Sequence, residues 1–75
     1  MPELRNQVRR LRFEHGEMTQ QELADRVGCT RQTIVMLEQE RYVPSLALAL
    51  RIGNVFAMPV EDIFKLEKRL TQRGG

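Results

Sequence analysis

The side chains that most often catalyse reactions or bind metals are few in this sequence and do not form a recognisable set. The chain has a single histidine, His15, and a single cysteine, Cys29, so neither a nucleophile–histidine–acid set nor a cysteine-based metal cluster can be built from them. A glycine-rich phosphate loop is also absent from the sequence. Helix caps and helix surfaces account for the acidic residues Glu22, Asp25, Glu38, Glu61 and Asp62. The sequence therefore predicts a protein that is not an enzyme and has no metal site and no cofactor.

The basic side chains are the second group with chemical potential, and arginine dominates them. Ten of the twelve basic residues are arginine, in a chain of 75 residues with a formal net charge of +2. A guanidinium group can donate two parallel hydrogen bonds to a phosphate or to the edge of a base. Surface arginine also serves solubility, so composition alone favours a nucleic-acid partner only slightly.

The elements that would position such side chains centre on residues 19–38, TQQELADRVGCTRQTIVMLE, where we predict two short helices joined by a sharp turn. Thr19 and Glu22 have the spacing of a capping box at the start of the first helix. Gly28 can adopt the left-handed conformation that a tight helix exit needs, and Thr30 can cap the second helix. From spacing alone, an ordinary helical hairpin remains an alternative.

The residues themselves shift the balance between these alternatives. The segments TQQELADRVGCTRQTI, LEQERYVPS and VEDIF follow one another in order, and together they resemble the Cro and phage-repressor (Xre-like) helix-turn-helix family. The resemblance extends from about Val8 to Phe64 and implies an all-α fold, a compact five-helix bundle with a DNA-binding helix-turn-helix. The chain departs from the family at Glu40, where glycine is common. This departure puts the usual left-handed helix cap in question and sets a negative charge near the expected phosphates.

The resemblance also implies specific roles for individual residues. The recognition helix, residues 30–39, would enter the major groove of double-stranded DNA. The side chains that would contact bases are Arg31, Gln32, Thr33 and Met36, although contact with a phosphate alone is an alternative for Arg31. The side chains that would contact phosphates are Gln20, Thr30, Arg41 and Tyr42, although packing at the edge of the fourth helix is an equal alternative for Tyr42. Family members often pair an arginine with the glutamate that ends the recognition helix, which implies a partly buried ion pair between Arg12 and Glu38.

We predict a first helix over residues 2–15, ahead of the two helices of residues 19–38. Its apolar stripe has helical spacing and consists of Leu4, Val8 and Leu11. Arg5 and Arg9 lie mostly off that stripe, so we assign them to the solvated face of the helix. His15 is expected to end the helix, where the helix dipole favours it, and not to bind a metal.

Two more helices are predicted after the two helices of residues 19–38, one over residues 45–56 and one from Pro59 onward. The first of them is apolar over most of its circumference, so it must be buried on more than one side. Its first apolar strip consists of Leu46, Ala49, Leu50, Gly53 and Phe56, and its second strip consists of Leu48, Ile52 and Val55. Either a second subunit or the last helix would cover the second strip. Gly53 is expected to permit close packing. We expect one domain over residues 1–66 and a basic, flexible tail over residues 67–75.

Together these features predict a sequence-specific, double-stranded DNA-binding transcriptional regulator. Dimers of the motif bind half-sites about one helical turn apart, so we expect a homodimer and a near-palindromic operator. Two other functions remain open: the antitoxin of a toxin–antitoxin pair, with a toxin protein as partner, and a protein-interaction module that has lost DNA binding. The sequence has no membrane-spanning apolar run and no signal-peptide pattern, so we expect a cytoplasmic protein.

Overall fold

The computed structural model describes residues 4–67, which form five helices and a two-stranded antiparallel β-ribbon. The helices are α1 (Val8–Glu14), α2 (Gln20–Val27), α3 (Arg31–Glu38), α4 (Leu46–Phe56) and α5 (Val60–Ile63). Strand β1 (Leu4–Asn6) precedes α1, and strand β2 (Phe64–Leu66) follows α5. The ribbon pairs Leu4 with Leu66 and Asn6 with Phe64. It therefore joins the two ends of the described chain.

The β-ribbon corrects two expectations, an all-α fold and a first helix over residues 2–15. Leu4 packs against the core from a strand, because residues 4–6 pair with β2 and do not continue α1. Asn6 ends β1, and its Oδ1 accepts a hydrogen bond from the N–H of Val8, the first residue of α1, at 3.1 Å. Short polar side chains offer the backbone such an alternative to a longer helix. Residues 68–75 of the predicted tail lie outside the described residues.

The two central helices and the turn between them are confirmed. Both hydrogen bonds of the capping box form, from the Glu22 N–H to the Thr19 hydroxyl at 3.0 Å and from the Thr19 N–H to the Glu22 carboxylate at 2.7 Å. Gly28 ends α2 with a φ of +76°. Thr30 then accepts the Thr33 N–H and caps α3. These local bonds fix where each helix begins and ends.

Helix α4 buries only part of its apolar surface within the chain. Leu48 and Ile52, from its second strip, are buried in the core. Leu46 and Leu50, from its first strip, are 71% and 50% exposed. A single chain therefore covers much of the second strip, and the uncovered apolar surface lies on the first.

Gly53 allows the exit of α4 to fold closely over the helix, as expected. A Cβ atom at this position would lie 2.7 Å from the backbone oxygen of Met58, closer than real side chains approach. The Met58 N–H donates to the Gly53 carbonyl at 3.0 Å, so the two backbones are held together there. Among residues 4–67, no helix has the length and apolar character needed to span a membrane.

Candidate nucleic-acid interface

Helix α3 buries one side completely and presents the other to solvent. Ile34 and Leu37 have no exposed surface. We define the outer face of α3 as its opposite side, which consists of Arg31, Gln32, Val35 and Met36 together with Gln39, the residue that caps the end of the helix. Arg31, Gln32 and Gln39 are exposed, whereas Val35 and Met36 are half-buried. Residues four apart share a helix face, so Arg31, Val35 and Gln39 form one row and Gln32 and Met36 form the next. The polar first turn is therefore the most accessible part of this face.

Thr30 and Thr33 make a hydrogen-bonded pair at the start of α3. Their hydroxyls lie 3.0 Å apart, and the Thr30 oxygen also accepts the Thr33 N–H at 3.2 Å. Thr33 is half-buried and its hydroxyl is engaged with the cap, so it is less accessible than Arg31 and Gln32. When Thr33 donates to Thr30, the Thr30 proton is available for a phosphate oxygen.

A buried ion pair joins α3 to α1. Arg12 donates from Nε and Nη2 to the two carboxylate oxygens of Glu38, at 2.5 and 3.0 Å. Its Nη1 donates to the Met18 carbonyl at 2.6 Å, so all three guanidinium nitrogens are engaged. The two charged side chains are only 8% and 5% exposed. Because a two-point arginine–carboxylate contact fixes orientation as well as distance, this pair sets the position of α3 against α1.

Gln20, at the start of α2, extends the same network. Its Nε2 donates to Glu38 Oε1 at 3.1 Å, and the side chain is half-buried. An amide nitrogen carries two N–H donors, so one donor remains for a phosphate oxygen. The structure thus places Gln20 beside the ion pair and next to α3.

Glu40 adopts the left-handed conformation after α3, with a φ of +62°, although it is not glycine. The Glu40 N–H donates to the Leu37 carbonyl at 2.9 Å, and the Arg41 N–H donates to the Met36 carbonyl at 3.0 Å. This pair of bonds is the usual ending of a helix with a left-handed residue after its cap. The departure from the family pattern therefore changes the residue and keeps the backbone geometry.

The Glu40 side chain turns toward strand β1. Its Oε2 accepts the Asn6 N–H at 3.1 Å, and its Oε1 lies 2.8 Å from Arg5 Nε. Asn6 Nδ2 donates to the Leu37 carbonyl at 2.9 Å. We call Arg5, Asn6 and Glu40 the ribbon latch, because they tie the end of α3 to the β-ribbon. The latch is not apparent from the sequence, in which Asn6 just before α1 is the only local signal for it.

Arg41 and Tyr42 lie in the loop after α3, and both are exposed. The Arg41 backbone N–H is used by the helix ending, so the donors that Arg41 can offer a ligand are those of its side chain. Tyr42 is 37% exposed, and Val43 beside it is 56% exposed. The loop thus carries an exposed arginine, which forms no ion pair with another residue between positions 4 and 67, and the beginning of an apolar surface.

The two other potentially reactive side chains serve in packing. His15 Nδ1 lies 2.8 Å from the Leu11 carbonyl oxygen at the end of α1, and its ring meets Phe56 edge-on at 4.9 Å. Burial raises the pKa of the Cys29 thiol, so the nucleophilic thiolate is disfavoured at neutral pH. Within residues 4–67, no three His, Cys, Asp or Glu side chains are grouped to hold a metal ion.

Comparison with known proteins gives matches over most of the chain. A family model described as helix-turn-helix matches residues 9–63. A Bacillus subtilis protein named as an uncharacterized HTH-type transcriptional regulator, YgzD, is 46% identical over 65 residues, which cover 87% of this chain and 97% of the relative. A similarly named Methanothermobacter thermautotrophicus regulator is 52% identical over 66 residues, 87% of this chain and 94% of its own. One from Archaeoglobus fulgidus is 49% identical over 61 residues, 81% and 86% of the two chains.

Proposed function

The chain belongs to the Xre/Cro-like helix-turn-helix family of transcriptional regulators, and from this membership we propose that it recognises a specific double-stranded DNA sequence through α3. The outer face of α3 carries the proposal, since its first turn is polar and exposed while the opposite side is fully buried. The buried Arg12–Glu38 pair also supports this proposal, because it holds α3 in a defined orientation. A helix presented in this way fits the major groove of DNA.

The exposed side chains of the first turn are suited to reading base edges. Arg31 can donate two hydrogen bonds to O6 and N7 of guanine, and Gln32 can pair with N6 and N7 of adenine. Met36 lies one turn further along the same row as Gln32 and offers an apolar contact, for instance to a thymine methyl group. Thr33 is engaged with the helix cap, so its contribution to base reading is the smallest of the four.

Side chains around the recognition helix would hold the DNA backbone. Arg41 is an exposed cation past the end of α3, and Tyr42 follows it in the loop. Gln20, at the start of α2, retains one amide donor that can bind a phosphate oxygen, and the Thr30 hydroxyl, at the start of α3, offers a donor when Thr33 donates to it. Contacts of this kind fix the register of a protein on DNA and carry no sequence information themselves.

We also propose that two copies bind together through the apolar surface at Val43, Leu46 and Leu50. These side chains are 56%, 71% and 50% exposed, and a chain of 75 residues forms only a small core to cover them. A second copy is the occupant that suits the proposed function. Two-fold pairing would set two copies of α3 about 34 Å apart, on a near-palindromic site.

The test of this function is selection of bound sequences from a random pool of double-stranded DNA, followed by measurement of affinity at two salt concentrations. We expect enrichment of a near-palindromic sequence and binding that weakens steeply with salt. A pool that stays random after repeated rounds would contradict the proposal, as would binding that is insensitive to salt.

A further inference from the structure

A depression of about 270 Å³ lies where α1, the start of α2 and α3 meet. Its walls include the buried Arg12–Glu38 pair together with Arg9, Phe13, Gln20, Val35 and Gln39. Val35 and Gln39 belong to the outer face of α3. The depression therefore opens beside the surface that we propose to meet DNA.

Arg9 supplies the net charge of this depression. Arg12 and Glu38 neutralise each other, and the guanidinium nitrogens of Arg12 are all engaged. Arg9 is exposed and forms no ion pair with another residue between positions 4 and 67. Its Cζ lies 5.9 Å from the centre of the Phe13 ring, an arrangement that favours keeping the guanidinium at this edge. The depression is thus a polar recess with one uncompensated positive charge.

The position of the recess relative to α3 suggests which anion it receives. A helix in the major groove has a row of backbone phosphates along each side. Arg31, Val35 and Gln39 form one row on α3, and the recess borders the last two of them. Resting on the proposed function, we propose that Arg9 binds a backbone phosphate of the DNA in this recess, with Gln20 and Gln39 as neighbouring amide donors.

Arg10 provides a matched control, because it has the same charge and is the next residue of α1. Its Nε lies 3.2 Å from Glu14 Oε2, so its charge is already partnered. Arg10 is exposed like Arg9 but does not line the recess. A general electrostatic effect would be similar for both arginines, whereas a built phosphate contact would belong to Arg9 alone.

The experiment measures binding of the selected DNA by the parental protein and by Arg9→Ala, Arg9→Lys and Arg10→Ala, between 50 and 200 mM salt. The salt slope is the change in the logarithm of the affinity with the logarithm of the salt concentration, and loss of one phosphate contact should reduce it by about 0.9 for each bound chain. Over the fourfold rise in salt, the DNA affinity of Arg9→Ala should therefore fall about 3.5-fold less per bound chain than the affinity of the parent. Arg9→Lys should restore the parental slope, and Arg10→Ala should keep it. Phosphate-ethylation interference should lose one sensitive phosphate per bound chain in Arg9→Ala, with an unchanged base preference.

Two results would overturn the inference, and one of them would overturn the proposed function as well. Equal slopes and equal ethylation patterns for Arg9→Ala and Arg10→Ala, with a parent that binds its selected site, would overturn the Arg9 contact and leave the proposed function standing. A parent that selects no sequence would overturn both.

Discussion

Glu40 combines an unfavourable backbone conformation with favourable side-chain interactions, so its replacement can separate the two. Its φ of +62° is left-handed, which costs a non-glycine residue about 1–2 kcal/mol. Against this, the hydrogen bond from the Asn6 N–H to the charged carboxylate contributes about 1.5–3 kcal/mol. The ion pair with Arg5 adds little, below about 1 kcal/mol, because the Arg5 side chain is 58% exposed. The interactions of the ribbon latch should therefore outweigh the strain.

Two substitutions at Glu40 should lower the free energy of unfolding by different amounts. Glu40→Ala keeps the positive φ and removes the carboxylate, so we expect a loss of about 2–3 kcal/mol. Glu40→Gly also relieves the strain, so the loss should fall to about 1–2 kcal/mol. Ala57 is the matched control, because it ends α4 with a φ of +55° and has no carboxylate. Ala57→Gly should therefore raise the free energy of unfolding by up to about 1 kcal/mol.

Urea unfolding followed by circular dichroism measures these differences, provided that the variants share a common slope with denaturant. The comparison between Glu40→Gly and Ala57→Gly isolates the latch, since both substitutions relieve the same kind of backbone strain. The reasoning would be refuted if Glu40→Gly were as stable as the parent or more stable.

Three further substitutions test the packing and the proposed assembly. Arg12→Ala should lower the free energy of unfolding by about 3–5 kcal/mol, because it leaves the buried Glu38 carboxylate without its partner. Replacing both residues with matched apolar residues should recover much of that loss. An unchanged melting temperature for Arg12→Ala would contradict the burial of the pair. Gly53→Ala should destabilise the protein to urea despite the higher helix propensity of alanine, because the new Cβ meets the Met58 carbonyl; greater stability would show that the α4 exit can move. Leu46→Glu should make the protein monomeric in sedimentation, whereas Leu66→Glu, at another exposed leucine, should not; equal behaviour of the two variants would place the dimer contact elsewhere.

The parts of the fold that could be predicted from the sequence are those specified by local chemistry. Thr19, Thr30 and Ser45 each cap the next helix with their own hydroxyl, and Gly28 ends α2 in the left-handed region. Such signals act within a few residues, so their spacing is visible in the chain itself. The exposure of Arg31 and Gln32 could also be predicted locally, because these residues directly follow the cap Thr30 and come before the buried residues Ile34 and Leu37.

The β-ribbon could not be predicted in this way, because it depends on contacts between distant residues. A spacing of four between Leu4 and Val8 fits a helix, and only pairing with residues 64–66 makes residues 4–6 extended. The ribbon latch has the same origin, since Asn6 and Glu40 are 34 positions apart. Arg9 likewise lines one recess with Val35 and Gln39 only because the fold brings α1 and α3 to the same place.

Base reading by the first turn of α3 is tested most directly by selecting bound sequences from random DNA with the parent, Arg31→Ala, Gln32→Ala and Arg41→Ala. Arg31→Ala and Gln32→Ala should each weaken binding to the parental site by about 1–3 kcal/mol and flatten the preference at one base pair of each half-site. Arg41→Ala should keep the parental sequence preference, weaken all sequences alike and reduce the salt slope by about one unit for each bound chain. If Arg31→Ala and Gln32→Ala both keep the parental preference at every position, the first turn of α3 does not read the DNA.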